Sequence, residues 1–172
     1  MTKSDCLLPE AVPALEWLVL RSVPREYGSA MRTVWSRELT KGCFTAISAL
    51  RSPEWLTENV DNPLRDWDGR EHISPAKFRK SVAQYKSTRR AVMAVLADPS
   101  SDLKARLIAL GREYGSAFNK LAERDDFIET EEREELFAAL MTMAHGSPST
   151  PEEAKKLAAE WLAQGLEETR DW

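Results

Sequence analysis

Cysteine is scarce: the 172-residue chain carries only Cys6 and Cys43. Two cysteines cannot supply the disulfide framework of a small secreted domain. Without a Cys-x-x-Cys pair there is neither a thiolate zinc site nor a dithiol redox motif. Cys43, set among Phe44, Ala46 and Ile47, reads as a buried free thiol, and a reducing, cytoplasmic setting is the expectation. Histidine is equally sparse. His72 and His145 have no second ligand at metal-binding spacing, so neither a metal nor a cofactor is expected. No apolar run approaches the roughly 20 residues of a membrane-spanning helix, and the expectation is no membrane partner. Leu7-Leu8 runs at once into Pro9-Glu10, which is not the pattern of a signal segment. A positive excess is missing too. Lys and Arg number 24 against 28 Asp and Glu, a net −4, so no global basic field draws the chain to nucleic acid.

Catalytic signatures are also absent. There is no GxGxxG, Walker A, GxSxG or HExxH. The Glu131–Glu135 run is charged around several helix faces and so builds no paired-carboxylate site. Arg65 and His72 resemble, in two residues only, the arginine–histidine pair of HEPN-type ribonucleases. They stand in the best loop candidate of the chain, residues 60–73, rather than in a helix. No catalytic residue is assigned, and the chain is not expected to be an enzyme.

What is present is helical. Apolar residues make up 42% and charged residues 30%, a globular rather than a disordered balance. Leu103, Leu107, Leu110, Tyr114, Phe118 and Leu121 recur at spacings of three and four, as do Tyr27, Met31 and Val34. Phe78, Tyr85 and Val92 make a third stripe. Ser52-Pro53, Ser74-Pro75, Asp98-Pro99 and Thr150-Pro151 each join a capping side chain to proline at the first helical position. These signals predict helices over about 13–21, 24–41, 43–51, 53–60, 75–97, 99–124, 130–145 and 151–168. The expected fold class is all-α: a compact bundle of about seven helices without a sheet.

The hexapeptide REYGSA occurs twice, at Arg25–Ala30 and Arg112–Ala117. Around it Leu20 matches Leu107 and Arg37 matches Arg124. Arg65-Asp66-Trp67 recurs as Arg170-Asp171-Trp172. The order is the same in both halves, which points to an internal tandem duplication. The copies cover about 12–67 and 100–172, with a basic helix at about 75–97 linking them inside a single domain, 1–172. Glycine inside a helix costs roughly 1 kcal/mol against alanine, so Gly28 and Gly115 imply a compensating contact. Gly111 and Gly115, four apart, offer one bare face for another backbone. Arg25, Tyr27, Gly28, Arg112, Tyr114 and Gly115 are therefore candidates for a repeat interface or, alternatively, for a ligand groove.

Two further features suggest partners. From His72 to Ala97 there is no carboxylate, while Lys77, Arg79, Lys80, Lys86, Arg89 and Arg90 supply positive charge. On a helix Arg79, Lys86 and Arg90 fall in one row, suited to phosphates or to an acidic protein; the alternatives are a solvated face or pairing with the Glu129–Glu135 run. Six tryptophans are many for this length, and Trp67 and Trp172 close the two copies, as core packing or as partner anchors. The reading is a non-enzymatic binding protein (adaptor, inhibitor or accessory subunit) whose partner is another protein. Its alternative is an accessory subunit that contacts nucleic acid through residues 77–90. Oligomeric state is left open.

Overall fold

In the computed structural model, residues 5–38, 42–98, 102–146 and 150–172 are described. They divide into two compact units, one ending at Pro75 and the other beginning at Ala76.

The first unit is built on a strand–helix–strand motif. Strand β1 (Trp17–Leu20) and strand β2 (Phe44–Ile47) lie parallel, joined through helix α1 (Arg25–Trp35). Trp17 is opposite Phe44 and Leu20 is opposite Ile47. This corrects the helices expected over 13–21 and 43–51, and with them the expectation of no sheet. The reason is local brevity. A four-residue strand written Trp-Leu-Val-Leu is apolar on both faces, so no alternation separates it from a short helix. What decides between them is pairing with a segment that lies beyond α1, a non-local contribution that local pattern does not carry. Both strands then stop at a residue in the left-handed region, Ser22 (φ 51°) after β1 and Ala49 (φ 50°) after β2.

Helix α1 covers the inner face of the pair. Tyr27, Met31 and Trp35, four residues apart, pack with Leu18 and Cys43 as the core of this unit. The Trp35 indole N–H donates to the Leu7 carbonyl at 2.9 Å, tying the preceding segment to the helix. Cys43 is a buried free thiol. Helix α2 (Pro53–Glu58) starts as its sequence implies, with Pro53 in the first turn and the Ser52 hydroxyl accepting from the Trp55 N–H. A 3-10 turn at Arg65–Trp67 follows.

The second unit contains helices α3 (Pro75–Ala97), α4 (Leu103–Ala122), α5 (Thr130–Met143) and α6 (Glu152–Glu167). Helix α3 has the bounds its periodicity predicts, and Phe78, Tyr85 and Val92 are buried. The cap of α5 is Glu129: its side chain accepts from the backbone of Glu132, whose own side chain accepts from the Glu129 N–H. Helix α6 begins one residue later than expected, with Pro151 as its cap residue. Pro99 and Pro148 lie outside the described residues. Among the described residues there are six α-helices and one two-stranded sheet, so the chain is mostly helical.

Helices α4 and α6 meet backbone to backbone. A Cβ placed on Gly111 would lie 2.1 Å from the Leu162 carbonyl oxygen, and one on Gly165 would lie 2.0 Å from the Ile108 carbonyl oxygen. The two glycines form the crossing point, and removal of both side chains allows the approach. Gly115 continues the contact towards Thr169 and Leu166. Gly28 instead faces the Leu50 side chain within the first unit.

The duplication is not confirmed by this topology. The first REYGSA follows a strand and opens an 11-residue helix, whereas the second lies inside a 20-residue helix. The hexapeptides share buried Tyr and Gly residues but not surroundings.

Candidate interaction surfaces

Arg79, Lys80, Lys86, Arg89 and Arg90 are exposed along α3. Spacings of seven and four place Arg79, Lys86 and Arg90 in one row. Among the described residues none of these five cations forms an ion pair with a carboxylate, so the acidic run at Glu129–Glu135 does not neutralise them. The Arg90 Nε donates back to the Lys86 carbonyl at 3.3 Å, and the Arg89 guanidinium lies beside Gly146. Lys77 is different. Its ammonium donates to the Leu121 carbonyl, sits 3.7 Å from Asp125 and lies 4.6 Å from the centre of the Phe127 ring. It pins the start of α3 to the end of α4.

The tyrosine–glycine positions are packed inside their own units. Tyr27 is buried, and desolvation raises its pKa above the ordinary value of 10.0. Tyr114 is wholly buried: its hydroxyl donates to the Leu136 carbonyl at 3.3 Å, and its ring lies 4.8 Å from that of Phe118. Burial pushes its pKa well up. Arg112 donates to Glu168 at 2.5 Å, which holds that exposed carboxyl below its ordinary range. Arg25 is exposed in the first turn of α1. Both tyrosines and both glycines of this set are buried, while Arg25 and Arg112 are exposed.

Trp67 and Trp172 are buried as well, the first completely; the Arg170 guanidinium lies 5.9 Å from the Trp172 ring. The most exposed tryptophan is Trp17, at 65%, while Trp55 and Trp161 are half-buried. Its ring lies 4.8 Å from that of Phe44, its partner across the sheet, and Phe44 and Val19 are 44% and 43% exposed. Trp17, Val19 and Phe44 therefore form an apolar face on the side of the sheet away from α1. The helical expectation over 13–21 hid it, because only strand geometry puts residues 17 and 19 on one side.

Polar groups gather at the carboxyl ends of the two strands. Asp68, nearly inaccessible, accepts from Ser22 Oγ at 2.8 Å and from Arg51 Nε at 2.6 Å, with a second bond to the other Arg51 nitrogen. The carboxylate raises the Arg51 pKa. Arg51 also lies 5.0 Å from the Trp55 ring, and Arg65 donates to the Ser22 carbonyl at 3.1 Å. This clamp holds left-handed Ser22 in place. Arg65 thus braces the turn that follows β1. His145 lies 3.5 Å from Glu152 at the exposed surface.

Comparison with protein-family models, with curated proteins and with solved structures found no match to this chain. Among the described residues no helix is long and apolar enough to cross a membrane.

Proposed function

We propose that the chain is a non-enzymatic binding protein that acts through protein–protein contacts, an adaptor, inhibitor or accessory subunit. The observation that carries this reading is the exposed Trp17–Val19–Phe44 face. A contiguous apolar patch rimmed by charge is what association surfaces look like, and tryptophan contributes disproportionately to their affinity. A parallel sheet is ordinarily covered on both faces, and this one is covered on one. The test compares proteins retrieved from the native source by the full chain and by Trp17→Asp. Partners lost with Trp17→Asp support the reading; an unchanged set refutes it.

A second reading rests on a separate observation, the unpaired row Arg79, Lys86 and Arg90. Such a row suits a phosphate backbone, with salt-sensitive affinity from three or four contacts. Here the chain would be a nucleic-acid-contacting accessory subunit. Binding to single- and double-stranded DNA and RNA, measured from low to physiological salt, tests it. Binding lost when Arg79, Lys86 and Arg90 become Glu supports it, and absence of binding at low salt removes it.

A further inference from the structure

The outer edge of β1 carries a second property besides its apolar face. The Phe44 and Ser48 N–H groups donate to the Glu16 and Leu20 carbonyls, so the even-numbered residues of β1 turn their backbone groups towards β2. In a strand both backbone groups of a residue point the same way, so those of Trp17 and Val19 point away from β2, as does the Arg21 N–H, which is opposite the Leu20 carbonyl in the same peptide. Among the described residues no backbone group pairs with them. The same residues also carry the exposed side chains. The edge is thus an open ladder with an aromatic and a cation placed symmetrically, two residues either side of Val19.

From this geometry we infer that β1 pairs with β1 of a second copy of this chain, antiparallel, about a twofold axis through Val19. In that register Val19 opposes Val19 of the other copy, and Trp17 opposes Arg21. Val19 with Val19 is a hydrogen-bonded pair, and each Arg21 N–H faces the other copy's Trp17 carbonyl. Each Arg21 guanidinium meets the other copy's Trp17 ring, a cation–π contact made twice by symmetry. The result is a four-stranded sheet ordered β2-β1-β1-β2, with Trp17, Val19 and Phe44 of both copies continuous on one face. Self-pairing is the arrangement in which the exposed aromatic and the exposed cation of one edge face each other, each Trp17 meeting an Arg21 across the axis. This inference rests on the binding reading above and names the partner as the chain itself. One strand pair is a small interface, so the dimer belongs to the weak, micromolar class.

Sedimentation velocity of the full chain across micromolar to submillimolar concentration tests it. The expected result is a monomer–dimer equilibrium. Val19→Pro removes the outward N–H and leaves the β1–β2 bonds intact; it should weaken the dimer roughly tenfold or more with an unchanged circular dichroism spectrum. Arg21→Glu changes only an exposed side chain, so it should fold and also weaken the dimer. Val19→Cys should give a disulfide-linked dimer on oxidation that the parent chain does not form. A monomer throughout the range overturns the pairing, as does a dimer indifferent to both Val19→Pro and Arg21→Glu. Either failure is distinct from that of the binding reading, which the Trp17→Asp retrieval decides.

Discussion

Replacing Gly111 by alanine puts a methyl group where α4 and α6 touch backbone to backbone. Its Cβ would stand 2.1 Å from the Leu162 carbonyl oxygen and 3.0 Å from the Leu166 nitrogen. Carbon and oxygen come no closer than about 3.3 Å in favourable contacts, so the helices must separate by about 1 Å. Backbone atoms of a packed helix cannot rotate aside as a side chain can. Overpacking of this kind costs about 1–3 kcal/mol, and loss of the surrounding Leu107, Phe118, Leu162 and Leu166 packing takes it to the upper end. Helix propensity opposes this, since alanine gains about 1 kcal/mol over glycine. The net expectation is a loss of about 2 kcal/mol. Urea unfolding followed by far-ultraviolet circular dichroism reads it as a lower midpoint at unchanged slope. Gly28→Ala is the contrast, because its Cβ would meet the end of the Leu50 side chain, which can change rotamer. Its cost should stay within about 1 kcal/mol. Gly165→Ala should resemble Gly111→Ala, and the double variant should cost less than the sum, since one separation accommodates both methyls. A Gly111→Ala chain as stable as the parent would refute the crossing.

Asp68→Ala should destabilise the first unit by about 3 kcal/mol, because it strands the buried Ser22 hydroxyl and unpairs Arg51. Arg51→Ala removes one partner of the same pair, but Arg51 is a third exposed, so solvent already screens it. Its removal still leaves the Asp68 charge buried, and the two variants should be similarly damaging, as urea midpoints will show. Alkaline stability should fall through Tyr114. Burial raises its folded pKa above the unfolded value, so stability is complete below pH 10 and declines as pH rises beyond it. The slope is at most about 1.4 kcal/mol per pH unit. Tyr114→Phe should lose about 1 kcal/mol at neutral pH with the Leu136 hydrogen bond, yet show a shallower alkaline decline in thermal melts.

Much of the helical half was legible from its residues. The bounds of α3 follow from Ser74-Pro75 and the Phe78, Tyr85 and Val92 stripe. The stripe of α4 is visible because 20 residues give five helical turns to repeat in. The cationic row of α3 could be placed because a helix turns spacing into direction. Lys77 could not be separated from that row, since its partners Leu121, Asp125 and Phe127 come from distant positions.

The sequence by itself determined where the long helices run and which of their faces are apolar, since period and capping act within a few residues. Tertiary structure alone decided that Trp17–Leu20 and Phe44–Ile47 are strands. Their hydrogen bonds join segments on either side of α1, and neither segment is long enough to declare itself. It also decided which tryptophan is most exposed. Trp67 and Trp172 end matching tripeptides and are buried, while Trp17 is exposed because α1 covers only one side of its sheet. Burial depends on what arrives from elsewhere in the chain, and that information is absent from any local window.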